Sequence, residues 1–229
     1  MENLPPNKAM KTSPFFIPAT ALLTALAPAL AQVPESYAGK PYAGKAQTIP
    51  GRIELALFDE GGEGVAYHDS EPANLGAEFN QRPKQQEQAV GVADSVKFFR
   101  ADEGVDITFT KHWVDFEDAN LVMPGVNQNY IGWQADGEWT NYTVDVTVPG
   151  RYKIVALYGN EDNGSELWLN GSLATLLVLP VNTGYWHHWN KAVVGEVDFP
   201  TAGVNLLTLY YNEGASLAYF DFILITPNQ

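Results

Sequence analysis

The tightest constraint on this chain is strict alternation. Tyr142, Val144, Val146 and Val148 alternate with Thr143, Asp145 and Thr147, and a period of two gives one apolar face only in an extended strand. Pro149-Gly150 stops the run, and Tyr152, Ile154, Ala156 and Tyr158 resume it with Arg151, Lys153 and Val155 between them. These two runs are predicted to lie side by side as antiparallel strands. Glu166 to Leu169 and the apolar run ending at Leu179 flank Asn170-Gly171, the dipeptide that best tolerates the positive φ angles of a two-residue hairpin turn. Asn205 to Tyr211 and Leu217 to Ile225 are apolar on both faces and suit central strands. No segment carries an apolar stripe at helical spacing. Many short strands punctuated by Gly, Pro and Asn predict an all-β sandwich or barrel. A domain from residue 51 to 226 buries roughly 70% of its unfolded surface, so one core suffices without the disulfides that a chain lacking Cys cannot form.

The N-terminal segment reads differently. From Met10 the sequence is MKTSPFFIPATALLTALAPALAQ. One Lys precedes a short apolar stretch, and Ala29-Leu30-Ala31 offers the small residues of a cleavage site before Gln32. Residues 1–31 are therefore predicted to be a signal peptide, with Met10 as a candidate true start, and the apolar run is too short for a membrane anchor. Cleavage removes Glu2, Lys8 and Lys11 and leaves the chain one unit more negative than its full-length −14. Residues 32–50 are rich in Pro, Gly, Ala and Lys and contain a near-duplicate Tyr-Ala-Gly-Lys. They read as a linker.

Charge narrows the partners. Lys+Arg 13 against Asp+Glu 27 repels polyanions, which argues against nucleic acid and anionic membrane. Aromatics are abundant, with 6 Trp, 11 Tyr and 11 Phe, enough to build a core and leave rings for a flat polar ligand. No nucleophile elbow, phosphate loop, zinc-protease helix or dinucleotide fingerprint is present. His187 and His188 are adjacent in a predicted strand, so they point to opposite faces and cannot chelate one metal together. Glu63, Asp69, Asp102, Glu103, Asp136 and Glu138 are candidate members of a carboxylate pair for glycoside hydrolysis, but spacing selects no two of them. Asn80 to Val96 and Lys111 to Asn129 look like long loops, which in a compact domain are usually functional.

Five segments occur in a telling order: IELALFDEGGEGVAYHD (residues 53–69), FRADEGVDI (99–107), YIGWQADGEWTNYTVDV (130–146), NTGYWHHW (182–189) and SLAYFDF (216–222). Together they resemble the family 6 carbohydrate-binding modules and their close relatives, jelly-roll domains attached to secreted polysaccharide-degrading enzymes. The resemblance implies a β-sandwich (jelly roll) of two antiparallel sheets, with a sugar site among loops at one edge. Carried over by position, Trp186 is the stacking platform, Phe99 stands where the family carries the Tyr of a Tyr-Arg pair, and Ser216 stands in place of an Asn. Asn212 is a further candidate from the preceding loop. Trp189 fits the family's buried aromatic.

The resemblance also implies a structural Ca²⁺ near the paired terminal strands. Glu54 matches its first acid and Asp221 is a further candidate ligand, but Ala56 and Ala218 stand where other acids belong. That ligand set is incomplete for an ion that takes six to eight oxygens, and no other cofactor is implied. The expected function is non-catalytic binding of a polysaccharide, secreted or periplasmic, beside a catalytic domain or enzyme. Two alternatives stay open: a small secreted glycoside hydrolase or lyase, or a fragment of a larger enzyme; and an inert structural or adhesive surface domain.

Overall fold

The computed structural model describes residues 33–76, 99–111, 114–116, 118–161, 164–212 and 214–226. The signal-peptide segment and the Asn80–Val96 loop lie outside the described residues. Among the described residues, twelve strands form two six-stranded sheets. The first sheet contains β1 (Gln47–Ile49), β3 (Tyr67–His68), β6 (Trp139–Val146), β8 (Gly164–Leu169), β9 (Ser172–Val178) and β11 (Gly203–Tyr210). Its order is β1-β6-β11-β8-β9, with β3 also paired to β6. The second contains β2 (Gly51–Glu54), β4 (Ile107–Phe109), β5 (Asn129–Ile131), β7 (Gly150–Asn160), β10 (Tyr185–Phe199) and β12 (Ala215–Leu224). Its order is β10-β7-β12-β5-β4, with β2 paired to β12.

The sandwich is as the patterning predicts, with three corrections. First, β6 and β7 are not neighbours. They belong to different sheets and face each other across the core, where Tyr142, Val144 and Val146 meet the layer of Tyr152, Ile154, Ala156 and Tyr158. Second, the first sheet is mixed, because β1 pairs parallel to β6 through Gln47↔Val144 and Ile49↔Val146. Third, the stretch 32–50 does not end as a linker: Ile49 is fully buried and Lys40 exchanges backbone hydrogen bonds with Glu60. Burial of Ile49 and satisfaction of a sheet edge hold this segment on the fold.

The Asn170-Gly171 hairpin forms, joining β8 to β9 with both turn residues at positive φ. β11 and β12 are central in their sheets. A register shift between Leu217 and Tyr219 breaks the alternation of β12. Leu217 and Phe220 therefore both enter the main core, while Ala218 and Tyr219 join a smaller cluster with Tyr130, Leu157 and Trp189. Val122 of the 118–128 segment packs against that second cluster.

Candidate functional site

β10 emerges from a tight turn. Asn182 Oδ1 accepts the Gly184 N–H at 2.7 Å, with Gly184 at φ 78. The turn is pinned to the buried Asn160: its N–H donates to Thr183 Oγ1 (2.8 Å), and its Oδ1 accepts the Thr183 N–H (3.1 Å). Tyr185 and Trp186 follow, each 43% exposed. On β7, a Cβ at Gly159 would sit 2.6 Å from the Trp186 carbonyl oxygen, so this close approach requires glycine.

His187 and Trp189 pack on the second cluster. His187 Nδ1 lies 2.6 Å from Asp115 Oδ1, and the same oxygen accepts the Trp189 Nε1–H at 3.1 Å. The Asp115 carboxylate also accepts the Lys111 backbone N–H. Trp189 is fully buried. His188 turns the other way and meets the Thr183 carbonyl at 3.2 Å.

Ser216 is buried at 3% exposure and is in register with Gly159. A Cβ on Gly132 would stand 3.5 Å from Ser216 Oγ. Gly132 follows β5 and precedes Trp133, 40% exposed and held at φ 53. One end of the second sheet thus carries Trp186, Gly159, Ser216 and Gly132-Trp133 on β10, β7, β12 and the exit of β5. Trp133 was not singled out from sequence. Asn212 is exposed in the turn between β11 and β12.

Phe99 is half-buried against the main core, with its ring 5.6 Å from that of Tyr42. Neighbouring Arg100 donates to the carbonyls of Phe58 and Asp59 and pairs with Glu103 at 2.7 Å. Those carbonyls run along the edge of the first sheet, where the Asp59 N–H reaches the Asn141 carbonyl.

The candidate carboxylates stitch loops together. Glu138 accepts the Ser70 N–H and Oγ–H at 2.9 and 2.6 Å on one oxygen, and the Ala135 N–H at 2.9 Å on the other. Asp106 accepts the Leu75 N–H through its side chain and the Gly132 N–H through its carbonyl. These bonds anchor the turn that presents Trp133. Burial pushes Asp106 up to about 7, and nearby Asp69, Glu138 and Glu71 push the same way against the Leu75 hydrogen bond. Asp69 is pushed up to about 6, again mainly by burial. Glu63 pairs with His68 at 2.5 Å, while Asp102 and Asp136 are exposed.

A second set of rings crosses the outward face of the first sheet. His68, Trp139, Tyr210 and Trp168 follow one another at centroid separations of 6.4, 6.4 and 5.3 Å. Alternation puts Trp139 and Tyr210 on the face opposite core residues Tyr142 and Leu209.

Glu54 and Asp221 are brought to neighbouring strands, but each is engaged. Asp221 receives Arg52 Nε at 2.7 Å and Lys191 Nζ at 2.7 Å, and Glu54 accepts the Gln128 Nε2–H at 2.8 Å. Among the described residues, no group of three or more His, Asp or Glu could hold a metal ion.

The described residues form a two-sheet β-sandwich with two exposed indoles, Trp186 and Trp133, at one end of its second sheet. The sequence profile of carbohydrate binding module family 6 matches residues 103–226, more than half of the chain. The chain belongs to that family, whose members bind carbohydrate without catalysis. No curated protein matches it. Similar solved structures include CsCBM6-3 from Clostridium stercorarium in complex with cellobiose, at 12% identity and TM-score 0.48, covering 80% of this chain and 99% of that one. A β-1,3-glucan binding family 6 module from Bacillus halodurans matches at 16% identity and TM-score 0.46, covering 78% and 99%. A family 6 module from Clostridium cellulolyticum in complex with xylose matches at 13% identity and TM-score 0.44, covering 77% and 98%.

Proposed function

We propose that this module holds a neutral polysaccharide between Trp186 and Trp133, with Ser216 in the floor and Asn212 and Tyr185 at the rim. The observation that carries this is the pair of indoles, 43% and 40% exposed, at opposite sides of one sheet end. They flank three strand spacings, about 14 Å between backbones, which leaves room for a sugar ring between them. The axial C–H face of a pyranose packs on an indole, while its hydroxyl rim needs hydrogen bonds or water. Phe99, half-buried against Tyr42, serves the fold. A formal charge of −14 favours a neutral over an anionic glycan.

The row from His68 to Trp168 supports a second sugar-facing surface on the first sheet, since spaced rings suit successive units of an extended chain. The signal-peptide reading supports secretion or export to the periplasm. There the module works beside a polysaccharide-degrading enzyme, as a subunit or as part of a larger chain.

The test is retention on insoluble glucans and xylans. Trp186→Ala is expected to cost about 2 kcal/mol of affinity, roughly thirtyfold, with stability changed by less than about 0.5 kcal/mol. Trp189→Ala is expected to cost about 3–5 kcal/mol of stability. Unchanged retention by the Trp186 and Trp133 variants, with loss in Trp139→Ala, would move the main site to the first sheet.

A further inference from the structure

The family resemblance implies a divalent cation where β2 meets β12, and the residues present do not fit one. Ala56 and Ala218, which stand at two of the acidic positions, are 2% and 0% exposed, each packed into a hydrophobic cluster. The two remaining acids are engaged by side chains of the protein itself. Arg52 lies opposite Asp221 in the β2–β12 register and grips it side-on, Nε to Oδ1 at 2.7 Å and Nη2 to Oδ2 at 3.3 Å. Lys191 reaches the same carboxylate from β10, with β7 between, at 2.7 Å. Arg52 Nη1 also lies 3.9 Å from Glu54 Oε1.

The Tyr219 ring supports both cations. The Arg52 guanidinium stands 3.5 Å above its centroid and the Lys191 ammonium 5.3 Å from it. Two cations, Arg52 and Lys191, therefore balance two carboxylates, Glu54 and Asp221. A divalent ion entering here would meet no surplus anion and two positive neighbours, an unfavourable exchange at these separations.

We propose that Arg52 and Lys191 take the place of the divalent cation, clamping β2 and β10 to β12 through Asp221. The fold is then independent of Ca²⁺. The triad adds to the paired β2 and β12 a tie to β10 across the intervening β7, and its carboxylate is 19% exposed, so it is screened less than a surface pair.

The experiment is thermal unfolding of the full chain in EDTA and in millimolar CaCl₂, which reads stability and stays separate from any result on sugar retention. A resident cation at a thousand times its dissociation constant would raise Tm by about 10 °C in a domain of this size. The proposal expects the two melting curves to coincide within about 1 °C, well below that shift. It also expects Arg52→Met with Lys191→Met to lower Tm by about 4 °C or more. If that double variant does not fold, Asp221→Asn is the milder probe, together with a fall in wild-type Tm between low and molar NaCl. A Tm that drops in EDTA, calorimetric uptake of one Ca²⁺ per chain, or variants that melt like wild type overturn the proposal.

Discussion

Asp115 carries more of the site than any residue the sequence singles out. Its buried carboxylate holds the indole N–H of Trp189, the ring of His187 and the Lys111 N–H, and so fixes the face of β10 that packs on the second cluster, next to the exposed Trp186. Asp115→Ala leaves these donors without their acceptor and is expected to cost about 2–4 kcal/mol, read as a lower urea midpoint. Asp115→Asn, which keeps one acceptor oxygen, should lose less. The burial of Trp189 was legible through the family resemblance, which places a buried aromatic there, and the structure buries it while leaving Trp186 43% exposed. Asp115 was not legible, since it lies 74 residues from Trp189 and no local pattern marks a partner that distant. Trp133 escaped for another reason. Its exposure follows from a positive φ after Gly132, which depends on where β5 ends.

At the scale of elements, patterning identified faces better than neighbours. Alternation in β6 and β7 gives the inward residues correctly, yet the same inward face is compatible with pairing side by side or with packing across a core. The structure takes the second. The β8–β9 hairpin was legible because its turn chemistry is local, whereas β1 was hidden in a stretch rich in Pro and Gly whose only strong apolar contribution is Ile49. The loop stitching by Asp106, Asp69 and Glu138 gives a prediction about pH. Asp106 titrates near 7 in the fold against an ordinary value of 3.8, and Asp69 near 6. Protonated acids thus favour the folded state: their contribution is complete below about pH 4 and is lost as pH rises through about 7. Tm is expected to be higher at pH 5 than at pH 8, and Asp106→Asn, which keeps an acceptor for the Leu75 N–H, should flatten that dependence. A profile that rises towards pH 8 and is unaltered in the variant would contradict this assignment.

For the whole molecule, the N-terminal reading has its own outcome. Protein recovered after export is expected to begin at Gln32, checked by N-terminal sequencing, which leaves Tyr37 and Lys40 to dock as they do here through Asp59 and Glu60. Sequence alone determined the all-β class, the central strands, the hairpin turn and the family, because each is written in short-range alternation, turn residues or ordered motifs. Only the tertiary structure decided which sheet each strand joins, that Phe99 packs at the edge of the main core while Trp133 is exposed after β5, and that Arg52 and Lys191 claim Asp221. Those outcomes depend on contacts between residues far apart in the chain, such as Arg52 and Asp221, 169 positions apart. Burial and charge pairing act on distance in space, and a linear pattern records only distance along the chain.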